Sequence, residues 1–173
     1  MKNYWKAGIL TLTLVLPALL LVFMHLTAEN QYKLPRFFPR TETSGKVLLT
    51  ERDTLFEALP VKDEISVANL FTKDSVVSKK VDSQKIYLQK EFPEIVWITH
   101  SPETEKFEEL AFDYMKSEAV RTGKQQRFSE NGKLFLIDKQ GVARGIFNGL
   151  NSEEIDRLSA EIKVLKAIQK NEK

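Results

Sequence analysis

Apolar positions along the chain fall into blocks of distinct period. Leu134-Phe135-Leu136-Ile137 is an unbroken apolar run, as expected of a strand buried on both faces. Asp138-Lys139-Gln140-Gly141 follows as a turn in which Gly141 is free to take a positive φ, and Val142 to Phe147 returns as a more polar partner strand. Ile155, Leu158, Ile162, Leu165 and Ile168 then recur at helical spacing, with Asn151 or Ser152 as the cap. Glu153, Glu154 and Asp156 near the start of that helix and Lys163, Lys166 and Lys170 near its end suit the macrodipole. Leu134 to Leu165 thus reads as a hairpin closed by an amphipathic helix.

Upstream, the same reading gives alternating elements. Asp53 to Pro60 is a short alternating segment ended by proline, and Ile65 to Phe71 is a first core strand. Asp74 and Ser75 start a helix that carries Val77, Val81, Leu88 and Phe92 on one face and stops at Pro93. Ile95 to Ile98 is a second core strand, with Trp97 expected in the core. Ser101 and Pro102 are the expected cap and first turn of a helix bearing Phe107, Leu110, Ala111, Tyr114 and Met115. The polar residues 117 to 130, with Gly123, read as a loop. This order of elements predicts an α/β fold, a thioredoxin-like mixed sheet with flanking helices.

The N-terminus has a different pattern. Ala7 to Thr27 is uncharged for about 20 residues, enough for a helix to cross about 30 Å of hydrocarbon. Lys2 and Lys6 lead it, Pro17 interrupts it, and His25 falls at its boundary. The apolar run is longer than a signal-peptide core, and Leu26-Thr27-Ala28 is a poor cleavage site, so an uncleaved anchor is expected. Lys33, Arg36 and Arg40 nearly balance the leading charges; the short basic leader favours export of the domain. Pro35 and Pro39 favour an extended tether, on which Phe37 and Phe38 either touch the membrane surface or, the preferred reading, dock on the domain. The expected organisation is an anchor over 1–28, a tether over 29–52 and a shortened domain over 53–173.

Composition narrows the chemistry. With 42% hydrophobic and 29% charged residues the chain is neither disordered nor wholly membrane-embedded. A net charge of +2, and no dense basic run, gives no sign of nucleic-acid binding; Arg121, Lys124 and Arg127 read as a solvated loop. There is no cysteine, which removes disulfides, thiolate metal sites and thiol redox chemistry. The two histidines, His25 and His100, make an imidazole-based site hard to assemble. His100 reads as an ordinary surface histidine with no evident carboxylate or nucleophile beside it. No cofactor motif is present.

Several of these blocks, taken together, resemble the Sco/SenC family, membrane-anchored thioredoxin-fold proteins that help install copper in cytochrome c oxidase. Leu34-Pro35-Arg36-Phe37-Phe38-Pro39 is similar to the proline-bracketed tether of some bacterial branches, and Asp53 to Pro60 to the lead-in segment. Val67-Ala68-Asn69-Leu70-Phe71-Thr72 looks like the strand that ends at the family's metal motif. Leu134 to Leu165, with Arg144-Gly145 and Asn148-Gly149, resembles the terminal hairpin and helix. The departures bear on function. Asp74 and Ser78 stand at the positions of the family's two cysteines, and Glu130 near that of its histidine. The hairpin that the family places between lead-in and metal strand is missing, since Pro60 is followed almost at once by Ile65.

Copper(I) prefers thiolate and imidazole, whereas Asp74, Ser78 and Glu130 offer hard oxygens, so copper transfer by the family mechanism is not expected. A hard-cation site from these three needs further oxygens. Asp74 has a simpler role as the cap of its helix, where a carboxylate meets free backbone N–H groups. The resemblance therefore implies a non-catalytic, membrane-anchored, exported (periplasmic) protein that acts by protein binding, with respiratory-oxidase subunits or assembly factors as partners. Two alternatives stand beside it: an oxygen-ligand metal protein or hydrolase using Asp74, Glu130 and His100, and a structural envelope protein with an unrelated α/β domain.

Overall fold

In a computed structural model the chain is described at residues 15–20, 22–23, 34–61, 63–72, 74–123 and 129–171. It divides into two units, Met1–Lys33 and Leu34–Lys173. In the first, only residues 15–20 and 22–23 are described, as helix, so most of the expected anchor over 1–28 lies outside the described residues. Among the described residues no helix is long and apolar enough to cross a membrane.

The second unit holds strands β1 (Ser66–Asn69), β2 (Val96–Thr99), β3 (Lys133–Ile137) and β4 (Ala143–Asn148), with helices α1 (Ser75–Glu91), α2 (Glu105–Arg121) and α3 (Ser152–Asn171). The sheet order is β2-β1-β3-β4, with β1 parallel to β2 and antiparallel to β3, and β3 antiparallel to β4. A parallel pair joined through a helix, followed by an antiparallel hairpin and a closing helix, is a thioredoxin-like layout. It agrees with the α/β mixed sheet expected from the sequence.

The apolar run of β3 explains its central place. Leu134 and Leu136 face α1 and α3 together with Val67 of β1, while Phe135 and Ile137 face α2 together with Ala68. All four β3 residues are fully buried, as a strand covered on both faces must be. On the first face, Val81 and Leu88 of α1 meet Ile155, Leu158, Ile162 and Leu165 of α3. On the second, Phe107, Ala111 and Met115 of α2 pack on Phe135. In the β3–β4 turn Gly141 has φ 79°, and a Cβ there would lie 2.3 Å from the Leu59 carbonyl oxygen, so both the turn and the close approach require glycine.

Residues 34 to 52, the described part of the expected tether, and residues 53 to 59 of the expected domain form one irregular segment. They fold onto the domain through isolated bridges, Pro39 with Phe56, Thr41 with Val47, Leu49 with Thr54 and Ala58 with Val142. Phe37 N–H donates to the Ala143 carbonyl and Leu59 N–H to that of Gly141. The cause is Phe38, which is 3% exposed and meets Phe107 and Tyr114 edge-on at ring-centroid distances of 5.1 and 5.4 Å. Of the two placements weighed for Phe38, docking on the domain is the one observed. Its backbone sits at φ 60°, an unusual conformation for a bulky residue that the surrounding packing must hold.

Two boundaries also moved. The second helix begins after Thr104, not at Ser101-Pro102, because the Thr104 hydroxyl and Ser101 bond each other across a preceding turn. That helix continues to Arg121, through residues expected as loop, with Ala119 buried and Glu118 paired to Arg121. Trp97 is only partly buried because β2 is an edge strand.

Candidate functional site

Two places could carry function: the N-terminus of α1 and a groove beside β4. At the first, Asp74 takes an extended conformation and its Oδ1 accepts the backbone N–H of Val76 at 2.7 Å and of Val77 at 3.4 Å. This is the capping geometry that the sequence suggests. The Ser78 hydroxyl faces along the helix and donates to Asp82 Oδ2 at 3.2 Å. Glu130 lies in the turn before β3, its carbonyl accepting from Lys133 N–H. That turn approaches the start of α1: a Cβ on Gly132 would be 3.2 Å from Val77 Cγ1. Asp74, Ser78 and Glu130 are therefore on neighbouring elements, with Asp74 and Ser78 each engaged at the start of α1.

His100 stands apart, after the end of β2. Contrary to the sequence reading, it has a carboxylate partner: Nδ1 is 2.8 Å from Oε2 and 2.9 Å from Oε1 of Glu108, which also accepts from the Thr104 hydroxyl. Glu108 was missed because it lies on the following helix, one turn in. The His100 ring is exposed, whereas the Glu108 side chain is largely buried. Among the described residues, no three His, Cys, Asp or Glu side chains are grouped so that they could hold a metal ion, so Asp74, Glu130 and His100 do not form one site.

The groove beside β4 has a volume of about 500 Å3. It is lined by Lys133, Arg144 and Ile146 from the sheet, by α2 and its C-cap between Tyr114 and Thr122, and by Pro35 and Phe37. Arg157 and Glu161 of α3 reach it past Gly145, where a side chain would strike the Phe147 ring and the Glu161 carboxylate. Arg144 is fixed by a buried pair, Nε to Asp138 Oδ2 at 2.7 Å, and by donation to the Leu34 carbonyl. Asp138 in turn accepts from the N–H groups of Gln140 and Val142. Burial lowers the Lys133 ammonium below its ordinary value, partly offset by the field of Glu154. Burial raises the Glu161 carboxyl, with Arg157 acting in the opposite sense. None of these residues forms a motif in the sequence; only the alternation of Lys133 with the apolar residues after it places its side chain on the α2 side.

No family model matches the chain, and no curated protein sequence does. One solved structure is similar, the solution structure of "a putative protein disulfide isomerase" from Bacteroides thetaiotaomicron. It shares 18% identity over 76% of this chain and 86% of that one, with a TM-score of 0.35. The thioredoxin-like layout is given by the strand order and directions of the sheet.

Proposed function

We propose that this chain is a membrane-anchored, non-catalytic Sco/SenC-like protein that acts by binding other proteins in respiratory (cytochrome c oxidase) assembly, its domain on the exported side. The observation that carries the non-catalytic part is the start of α1. A helix N-terminus stabilises a thiolate and so suits a reactive cysteine. Here the Asp74 carboxylate occupies that field and takes the free N–H groups of Val76 and Val77. With no cysteine in the chain, there is no thiol to exchange and no soft ligand for copper. The family setting rests on the ordered sequence blocks, and the anchor on the apolar run from Ala7 to Thr27.

Crosslinking in native membranes, followed by mass spectrometry of the captured proteins, tests the setting. Oxidase subunits or assembly factors are the expected catch; repeated capture of unrelated envelope proteins alone would overturn it. Metal analysis of the purified chain tests the rest. Stoichiometric divalent metal that disappears in Glu130→Ala would replace the binding-protein reading with an oxygen-ligand metal site.

A further inference from the structure

The groove beside β4 is lined by three cations, Lys133, Arg144 and Arg157, and two carboxylates, Glu118 and Glu161. Arg144 is closed by Asp138, Arg121 by Glu118, and the two terminal nitrogens of Arg157 by Glu154 and the Ile146 carbonyl. Two lining groups of opposite sign remain less well satisfied. The Lys133 ammonium has no ion-pair or hydrogen-bond partner among the described residues, although its side chain is half-buried. Among the described residues the Glu161 carboxylate has the Arg157 Nε, at 3.4 Å, as its ion-pair partner, longer than a good hydrogen bond. The same groove offers apolar surface from Phe37, Met115, Ala119, Ile146 and the Tyr114 ring.

One ammonium and one carboxylate, each partly desolvated and not in contact with the other, favour a ligand that carries both complementary charges. A simple anion would satisfy Lys133 but bring its charge close to Glu161 and Glu118. A simple cation would meet Glu161 but be repelled by Lys133 and Arg157. The geometry points to a binding site for a zwitterionic amino acid with an apolar side chain. Its carboxylate meets Lys133, its ammonium meets Glu161, and its side chain lies on the apolar wall. A volume of about 500 Å3 is within the range of small-molecule sites and accommodates an aromatic side chain. The site stands independently of the reading of the α1 N-terminus, since it shares no residue with it.

The test is titration of the purified 173-residue chain with L-phenylalanine, 3-phenylpropionate and phenethylamine, followed by backbone amide shifts. Phenylalanine should saturate shifts at Lys133, Ile146 and Ala119, and each analogue, lacking one charge, should bind about tenfold or more weakly. Lys133→Met should remove the advantage over phenethylamine, and Glu161→Gln the advantage over 3-phenylpropionate, while both variants keep the amide spectrum of a folded domain. The proposal is overturned if no shift saturates by about 10 mM phenylalanine. It is equally overturned if an analogue binds as well as the amino acid, or if both variants bind phenylalanine like the parent chain. Should either variant fail to fold, the analogue series on the parent chain decides alone.

Discussion

The two faces of the sheet solve the same burial problem with different materials. One is covered by two helices, α1 and α3, and its core is mainly aliphatic, with Val81, Leu88, Ile155, Leu158, Ile162 and Leu165 against Leu134 and Leu136. The other has a single helix, α2, and its core is largely aromatic, with Phe38, Phe71 and Phe107 gathered on Phe135. One helix about 10 Å wide cannot cover a four-stranded sheet with strands about 4.8 Å apart. The segment 34–59 and its large rings supply part of the missing layer, and what neither covers is left as the groove. The groove, of about 500 Å3, opens at the β4 edge between α2, this segment and α3, while a second hollow, of about 420 Å3, lies beside Ile65 and Ile95 near the end of α3.

Removing the segment's anchor should break that contrast most strongly. Phe38→Ala deletes a ring that is 3% exposed, with an expected loss of about 3–5 kcal/mol in urea unfolding. Hydrogen exchange separates it from an ordinary core lesion: amides of residues 37 to 59 should open locally in Phe38→Ala. Leu158→Ala, on the two-helix face, should cost about 2–5 kcal/mol but leave those amides protected until the whole domain unfolds. Equal protection of the segment in both variants would show that its backbone bridges, and not the ring, hold it down.

The next effect lies in the buried pair that joins the hairpin to the segment. Arg144→Met leaves the Asp138 carboxylate, 3% exposed, with its two backbone donors but without its counter-charge. About 3 kcal/mol should be lost, since a buried charge is left unpaired. The double variant Arg144→Met with Asp138→Asn should recover part of it, because the asparagine carries no charge to strand. A double variant worse than the single would argue that the two backbone bonds to Asp138 matter more than its charge.

What the sequence revealed follows from how local each cause is. The hairpin, the presence of three helices and the Asp74 cap are legible, with Asn151 one of two candidate caps for α3, because period and capping are written within a few residues of one another; the two ends of α2 are not. Asp74→Ala should cost about 0.5–2 kcal/mol in the same unfolding assay, and an unchanged midpoint would remove the capping role. The fold of residues 34–59 was not legible, since the ring partners of Phe38 lie on α2 and β3, far along the chain. Nor was the carboxylate beside His100, because the Ser101–Thr104 turn shifts the start of α2 and with it the place of Glu108. The groove was least visible. Its walls come from the N-terminal segment, α2, both hairpin strands and α3, and no single stretch of sequence contains enough of it to form a pattern.

The smallest expected effect probes the groove itself. Burial raises the folded-state pKa of Glu161 above its ordinary value of 4.5, so the folded chain holds that proton more tightly than the unfolded one. Stability should therefore fall as pH rises from 4.5 through the raised value and then level off, which leaves a penalty at neutral pH. Glu161→Gln removes the charge and should stabilise the domain at pH 7 by less than about 1 kcal/mol, the partial exposure and the Arg157 contact keeping it small. Below pH 4.5 the advantage should vanish, because the parent side chain is then neutral as well. A variant that is less stable at pH 7 would mean that attraction to Arg157 outweighs desolvation. A variant that is more stable would mean that the chain keeps a carboxylate where folding alone favours none, as expected of a group retained for a ligand and not for the fold.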